Sequence, residues 1–443
     1  MERDLADRRP LTGPYPAMVS GDDAEPLGGA FRWLWTAETV SMVGTTVTTV
    51  ALPALAVLRL HAGPAEVGLL AAAGRLPFPV LGLIAGVAAD RLPRRTVMVI
   101  SDLARVLILG AVPLADAMGG VSVGFLIAVA LVSGGFGAFF DICNLAYVPS
   151  VVGRRGLVRG YSWIEIGYSL ASLVGPGLGG VLVQAFGAAR AIAADSVSFL
   201  VSALCLAAIR PPRRGPAQRD TGDGGGADAA TISAEPVPDR ASPLVELREG
   251  VRFVMHEPVL RALLITQGVL ILGAHSIEAP IILLAYNVLH LSPGTYGALL
   301  SIAGAGALLA AVASRRAARW RPGRSLIVTS LLLAGCTLAV PLATITAPLL
   351  ILGVLLVIDA AAGTLGNVVQ VTLRQSLTPS RLRGRMNALF RVVYWGAWPL
   401  ANVLGGLLAA AVGPVAAIVA GGAVCVGACV LMTASPLRNA VRG

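Results

Sequence analysis

The stretch GVAADRLPRR, residues 86–95, ends an apolar run that begins near residue 66. One acid and three arginines stand in its last six residues. A charge cluster directly after about 20 apolar residues is typical of a helix that leaves a membrane. The stretch therefore indicates a membrane protein, and the rest of the chain shows how often the pattern repeats.

The composition agrees with a chain that lies mostly in lipid. Of the 443 residues, 56% are hydrophobic and 13% are charged, whereas soluble domains carry about 25% charged residues. All 34 basic residues are arginines, and the net charge is +10. Because the arginines form short clusters between apolar runs, we interpret the charge as membrane topology and expect no nucleic-acid binding. The five cysteines have no metal-ligand spacing with histidine, so we expect no metal site.

About twelve segments are long and apolar enough to cross a membrane. Loops rich in arginine alternate with loops that hold none, so the positive-inside rule places both termini in the cytoplasm. A stretch rich in Pro, Gly and charge, 210–241, separates six segments from six, and an amphipathic helix is predicted over 244–257. The segments lie near 33–58, 66–89, 96–116, 121–147, 160–186, 190–209, 259–289, 294–314, 325–345, 348–375, 386–411 and 414–435.

The two halves of the chain are weakly similar. Gly179 and Gly180 match Gly405 and Gly406 with an offset of 226 positions (405 − 179). Small residues let helices approach closely in lipid, and two similar halves suit a carrier that opens alternately to each side. The sequence thus predicts an all-α membrane protein with twelve transmembrane helices in two pseudo-symmetric six-helix bundles. The predicted bundles are 30–209 and 258–436, the linker is 210–257, and cytoplasmic tails cover 1–29 and 437–443.

Several blocks resemble a known transporter family. The 86–95 loop resembles the signature loop of the major facilitator superfamily, and GYSLASLVGPGLGG (167–180) resembles the fifth-span motif of its drug:proton antiporters. DSVSFLVSAL (195–204) and RLRGRMNALFRVVYWGAWPLANVLGGLLA (381–409) are similar to its macrolide-efflux and enterobactin-exporter branch. The resemblance covers about residues 30–436 and implies the twelve-helix major facilitator fold.

The resemblance implies a conformational latch in the 86–95 loop. Asp90 would dock on the other half, near a helix N-terminus that favours an anion, and Arg94 or Arg95 would pair with Asp141. The fifth-span motif would bend at Pro176 and seal the outer side. The alternatives are that the arginines only set topology and that the proline is only a kink. The latch comprises Gly86, Asp90, Arg91, Arg94, Arg95 and Asp141, and the motif comprises Gly167, Gly175, Pro176, Gly179 and Gly180.

Three charged residues fall near the middle of predicted spans: Arg75, Glu278 and Asp359. A charge at mid-bilayer costs about 2.5–3.5 kcal/mol, so each is expected to face a cavity or a partner. His275 precedes Glu278 by one helical turn, and an acid beside a histidine can exchange protons. We predict Glu278 as the proton-coupling group, with Asp359 second. The alternative is a static ion pair between a buried acid and Arg75.

The substrate cavity is predicted from polar and aromatic residues of the first, fourth and seventh spans. Relatives often have an acid after the glycine of the first span, but Thr45 follows Gly44 here. The coupling group has therefore moved, or protons are not used. Each cavity candidate has the alternative of helix packing or contact with lipid. The candidates are Glu38, Thr45, Phe136, Phe140, Asn144, Tyr286 and Asn287.

These patterns predict a secondary transporter of the cell membrane, driven by the proton gradient without a cofactor. We predict an exporter of lipophilic drugs or secondary metabolites, with a siderophore or small-metabolite carrier of other coupling or direction as the alternative. A polytopic membrane enzyme or scaffold is the alternative of another class. The chain has no lysine, so a Walker loop and ATP-driven pumping are excluded. Expected partners are membrane lipids, a lipophilic small molecule and protons, and we expect a monomer.

Overall fold

The computed structural model describes residues 28–209, 243–317 and 321–439, and in these ranges the regular structure is helical. Eleven of the described helices are long and apolar enough to cross a membrane. A twelfth crossing is made by two shorter helices, Pro64–Arg75 and Pro77–Arg91. The predicted all-α, twelve-helix fold is confirmed.

We number the crossings as spans 1 to 12 in chain order. Span 2 is the pair of shorter helices, and a further helix, Pro243–His256, precedes span 7. The other spans are Gly29–Arg59 (1), Arg94–Ala117 (3), Val123–Gly153 (4), Gly156–Phe186 (5), Ala188–Ala208 (6), Pro258–Val288 (7), Pro293–Ser314 (8), Pro322–Thr344 (9), Pro348–Ser376 (10), Arg383–Val412 (11) and Pro414–Ala434 (12).

Spans 2 and 7 are interrupted near their middles. Span 2 breaks at Leu76, directly before Pro77, and span 7 breaks at Ile277, three residues before Pro280. Proline has no N–H and its ring clashes with the carbonyl four residues earlier, which explains both breaks. The continuous second span predicted over 66–89 is therefore two helices, Pro64–Arg75 and Pro77–Arg91.

The internal repeat is visible in the backbone. Spans 1 and 7 both end in a π-helical turn of five residues, and His61 (φ 53°) and His290 (φ 48°) follow in the left-handed region. These histidines are 229 positions apart (290 − 61). Spans 5 and 11 both end at a glycine of positive φ, Gly187 (87°) and Gly413 (86°), 226 positions apart (413 − 187). Spans 1–6 and 7–12 are thus two related bundles.

The helix Pro243–His256 packs on the second bundle, although the sequence predicts it along the membrane surface. Val254 is fully buried beside Met386 of span 11. Arg385 of span 11 forms an ion pair with Glu249. The helix is therefore held by protein contacts on its apolar face. The predicted linker residues 210–242, the tail residues 1–27 and 440–443, and the side chains of Leu244 and Leu247 lie outside the described part.

Candidate functional site

The twelve crossings return the chain to the side on which it begins. We call the side that holds Gly28 and Asn439 the terminal face, and the opposite side the far face. The turns that join spans 1 to 2 and 7 to 8 lie at the far face. The two faces differ in how closely the bundles approach each other.

The bundles meet in backbone contact in the half near the far face. Gly180 of span 5 lies against Gly297 of span 8, where a Cβ added to Gly180 would come within 3.0 Å of the Gly297 Cα. Gly406 of span 11 lies against Gly68 of span 2, where the corresponding distance would be 2.8 Å. The repeat relates the two contacts, since 297 − 68 is 229 and 406 − 180 is 226. Two equivalent glycine contacts therefore close the far side.

Hydrogen bonds across the same region support this closure. The Gly177 N–H of span 5 donates to Ser301 Oγ of span 8 at 2.8 Å. The Gly294 N–H at the start of span 8 donates to Gln184 Oε1 of span 5 at 3.1 Å. Each bond joins one bundle to the other, so spans 5 and 8 are connected along several turns.

The fifth-span motif has two faces. Gly179 packs on span 1 of its own bundle, where a Cβ would lie 3.0 Å from the nearest Cα, and Gly167 and Gly175 face the same span. Gly180 and the carbonyl of Pro176 lie against the second bundle. Gly179 and Gly180 therefore face different bundles, because successive residues of a helix point about 100° apart.

Glu278 begins the second segment of span 7 and is the centre of a cluster that joins the bundles. Its Oε1 lies 2.8 Å from His275 Nδ1 and accepts a hydrogen bond of 2.9 Å from Trp398 Nε1 of span 11. The His275 and Trp398 rings stack with centroids 3.9 Å apart, and the Arg75 Cζ lies 3.7 Å from the Trp398 centroid. Arg75 belongs to the first bundle and also acts electrostatically on Glu278. We call these four residues the Glu278 cluster.

A polar cavity of about 190 Å³ lies beside this cluster in the second bundle. His275 lines it, and at its wall Tyr394 OH donates to Gln267 Oε1 at 3.1 Å. Asp359 of span 10 is half-buried and, among the described residues, makes no hydrogen bond or ion pair. His275 acts electrostatically on Asp359 and bonds to Glu278. His275 thus interacts with both predicted coupling acids and also lines the cavity.

An apolar recess of about 360 Å³ opens beside the break in span 2. Leu76 of span 2 and Leu131 and Phe136 of span 4 line it. Next to it, Phe78 stacks on Trp395 of span 11 with ring centroids 4.6 Å apart. A volume of this size with apolar walls suits part of a small lipophilic molecule.

Phe136 is the predicted cavity residue that lines this recess, whereas most of the other candidates pack inside a bundle. Asn144 Nδ2 donates to Glu38 Oε1 at 2.5 Å, and both side chains are buried. Phe140 lies in the core of the first bundle, and Tyr286 is buried against Tyr296. Their assignment to a cavity is wrong because helix packing turns them inward. Thr45 donates to the Ser41 carbonyl, and Asn287 is exposed at the far-face end of span 7.

Arg94 and Arg95 of the latch bond to backbone carbonyls of their own bundle. Arg95 Nε donates to the Leu206 carbonyl of span 6 at 2.7 Å, and Arg94 Nη1 donates to the Ala146 carbonyl of span 4 at 2.9 Å. Leu206 belongs to the last turn of span 6, whose final carbonyls have no partner within the helix and attract cations. Ala146 instead lies inside span 4, seven residues before its end (153 − 146). Asp141 forms no ion pair among the described residues, so the implied pairing with Arg94 or Arg95 is not made. Gly86 is half-buried, Arg91 is exposed, and the Asp90 side chain lies outside the described part.

Polar side chains are exposed in the terminal half of both bundles. Asp141 of span 4, Glu165 of span 5, Asn367 of span 10 and Arg391 of span 11 are all exposed. Charges directed at lipid cost about 2.5–3.5 kcal/mol each, so these side chains face water. The space between the bundles is therefore open to the terminal face and closed at the far face.

The sequence reading missed Trp398, although it supplies the indole that connects Glu278 with Arg75. The available signal was the pair Trp395 and Trp398, one turn apart on a span otherwise rich in small residues. Large aromatic residues on such a ridge must lie in a gap between helices.

Comparisons with known proteins agree with this architecture. A family model described as the Major Facilitator Superfamily matches residues 34–401. The multidrug efflux pump Tap of Mycolicibacterium fortuitum is 30% identical, covering 84% of this chain and 87% of its own. The enterobactin exporter EntS of Citrobacter koseri is 28% identical, covering 86% and 84%. Among solved structures, a mutant form of the nucleoside transporter NupG shares the fold with a TM-score of 0.70 and 11% identity, covering 91% of this chain and 99% of its own. A bacterial ferroportin homologue in an inward-facing state has a TM-score of 0.66 and 15% identity, covering 91% and 100%.

Proposed function

The chain belongs to the Major Facilitator Superfamily and is a membrane transporter, not an enzyme; from this we propose that it exports lipophilic drugs or secondary metabolites in exchange for protons. The polytopic enzyme considered from the sequence is set aside. The observation that carries the proposal is the Glu278 cluster, which joins the two bundles where the far side is closed.

The Glu278 cluster provides a physical link between protonation and opening. Ionised Glu278 accepts two hydrogen bonds and attracts Arg75 of the other bundle. A proton on Glu278 would remove its charge and weaken both the bonds and the attraction. With the far face open after substrate release, Glu278 would take up a proton from the far side. Once the bundles return to the terminal-open state, Glu278 would lose that proton to the terminal side, and the ionised acid would again hold the far face closed. This cycle exchanges a proton for a substrate by alternating access.

The substrate class is proposed from the relatives and from the apolar recess. One relative is named as a multidrug efflux pump, and the recess beside span 2 has room for a lipophilic group. A siderophore or small-metabolite exporter is the second candidate, favoured by the relative named as an enterobactin exporter. For either class of substrate, the polar residues around His275 would orient the polar part of the substrate.

Orientation follows from the arginine-rich loops. We place the terminal face in the cytoplasm of the cell membrane, so that the conformation seen here takes up substrate from inside. The transporter would act as a monomer in lipid, and protons would be the driving ion.

The proposal is tested by drug accumulation in cells that express the protein. The wild type is expected to lower the accumulation of at least one lipophilic compound, and collapse of the proton gradient is expected to restore it. Glu278→Gln should abolish the effect at equal expression. Glu66→Gln is the matched control, because Glu66 Oε2 accepts only a bond from its own helix start, the Gly63 N–H at 2.8 Å. Gradient-independent efflux would overturn proton exchange.

A further inference from the structure

Besides Glu38, the first bundle contains two buried acids that the Glu278 cluster does not use. Asp102 of span 3 is 0% exposed and Asp195 of span 6 is 1% exposed. Spans 3 and 6 pack on other spans of the first bundle, whereas the Glu278 cluster is built from spans 2, 7 and 11. Two carboxyl groups buried in lipid-embedded protein require a reason.

The partners of these acids are hydroxyl groups. Asp195 Oδ2 accepts a bond of 2.5 Å from Thr48 and Oδ1 one of 3.0 Å from Ser198. Asp102 Oδ2 accepts a bond of 2.6 Å from Ser202, while Asp102 Oδ1 is buried without a hydrogen-bond partner. A hydroxyl can donate to a carboxylate or accept from a carboxylic acid, so these contacts fit both protonation states.

Arg105 is the cation that faces this group. Its Nη1 lies 3.9 Å from Asp102 Oδ1, too far for a hydrogen bond, and its Cζ lies 4.7 Å from the Phe199 centroid. Arg105 also acts electrostatically on Asp141 and Asp195. Gly137 of span 4 leaves the space for the guanidinium, since a Cβ there would collide with it. The Arg105 guanidinium thus interacts with three carboxyl groups, those of Asp102, Asp141 and Asp195.

The charges on all neighbouring spans leave a negative excess. Asp102, Asp141 and Asp195 against Arg105 sum to −2 if all are ionised, and Glu38 of span 1, which Asp141 also faces, adds a fourth acid. Span 5 contributes Tyr168 and, beyond it, Glu165, and neither adds a positive charge. Of the other span 3 cations, Arg95 is engaged by carbonyls at the end of span 6 and Arg94 by the Ala146 carbonyl of span 4. Something positive must therefore bind in the bundle.

We propose that Asp102, Asp195 and Arg105 form a proton-binding site inside the first bundle, and that Asp141 passes protons between it and the water-filled opening. Asp141 is exposed in the terminal half and lies within electrostatic reach of both Glu38 and Asp102. In each step a proton moves from a carboxylic acid to a carboxylate, and no other bond changes. Asp195 Oδ1 and Ser198 also fill the space beside Gly44, next to the position where relatives often have an acid and this chain has Thr45.

A proton fits the site better than a metal ion. The hydroxyls contact Asp195 directly at 2.5 and 3.0 Å, which leaves no gap for an ion between donor and acceptor. The guanidinium within the group would repel a metal cation. Among the described residues no group of three or more His, Cys, Asp or Glu is arranged to hold a metal.

The inference rests on the proposed function for its role in transport, but its test needs neither a gradient nor a substrate. The purified full chain in lipid nanodiscs is titrated between pH 5 and 9 and followed by infrared difference spectroscopy of the carboxylic-acid C=O band. The wild type is expected to show protonated carboxyls that exchange with deuterium and disappear as the pH rises. Asp102→Asn and Asp195→Asn should each lose part of this band. Asp116→Asn is the control on the same span, because Asp116 pairs with Arg59 near the far face.

Each outcome decides the proposal. If the band is absent in the wild type, or persists unchanged in the double variant, these acids hold no exchangeable proton. If sodium or potassium removes the band at constant pH, the ligand is a metal ion and the proposal is wrong. Should the asparagine variants fail to fold, Thr48→Val and Ser202→Ala remove the hydroxyl partners instead and must shift the band frequency. Proton-independent transport with a normal band would overturn the proposed function alone.

Discussion

Replacement of Glu278 by glutamine tests whether the Glu278 cluster holds the far side closed. Glutamine keeps the shape and one acceptor oxygen but has no charge, so it imitates the protonated acid. Oε1 of Glu278 takes bonds from His275 and Trp398, and Arg75 lies across the interface. The variant should therefore favour opening of the far face without loss of packing.

The size of the effect follows from these two bonds. A hydrogen bond to a charged group contributes about 1.5–3 kcal/mol, and one between neutral groups about 1 kcal/mol. Replacing the charged acceptor by a neutral one therefore weakens the two bonds by about 2 kcal/mol in total. The Glu278 side chain is 30% exposed, and water weakens such interactions. Because 1.4 kcal/mol is a factor of ten, we expect a shift of about 10- to 30-fold toward the far-open state.

Spin labels on the two far-face ends can measure this shift. Met118, after span 3, and Ile345, after span 9, are 80% and 75% exposed and belong to different bundles. The five native cysteines are buried and can be replaced before labelling. Pulsed dipolar spectroscopy of the labelled pair should show a longer distance gaining population in Glu278→Gln and not in Glu66→Gln. An unchanged distance distribution would refute the reasoning that this cluster closes the far side.

Three further substitutions test other contacts. Gly297→Val should overpack against Gly180, destabilise the closed far side by about 1–3 kcal/mol and slow efflux at least fivefold. Gly335→Val should be neutral, because its added Cβ has no atom within 4 Å. Equal efflux rates of the two variants would contradict this prediction. Trp398→Phe keeps an aromatic ring but removes the N–H donated to Glu278, a hydrogen bond that contributes about 1.5–3 kcal/mol. It should slow efflux about tenfold relative to Trp395→Phe. Trp395 is the control because its indole N–H makes no hydrogen bond among the described residues. Gly137→Ala should displace Arg105 from Phe199 and lower the free energy of thermal unfolding by about 1–2 kcal/mol. Gly124→Ala is the control, because its added Cβ has no atom within 4 Å. Equal melting temperatures of the two variants would show that Arg105 moves aside without cost.

The fold was predictable because lipid demands long apolar helices with charges between them. The positions of the spans, the two halves and the 226-residue offset all follow from such patterns, and Gly187 and Gly413 repeat that offset in the backbone. The break in span 2 was not predicted. Pro77 marked a kink, but a proline alone does not tell whether the helix bends or stops.

The site was predictable where its residues lie one helical turn apart. His275 and Glu278 are such a pair, and they contact each other at 2.8 Å although the helix breaks between them at Ile277. Trp398 reaches them only through packing of span 11 on span 7, which no local pattern records. Asp102 and Asp195 carry no such local signal, because their burial depends on neighbouring spans, which leave both almost inaccessible.

Transport into proteoliposomes tests whether Glu278 couples the proton gradient to substrate movement. The purified protein is reconstituted, a pH gradient is imposed, and movement of a lipophilic compound identified in cells is measured against the same vesicles without a gradient. Proton exchange through Glu278 predicts gradient-driven accumulation by the wild type and by Glu66→Gln, and none by Glu278→Gln. Equal transport by Glu278→Gln and wild type, with or without the gradient, would contradict it.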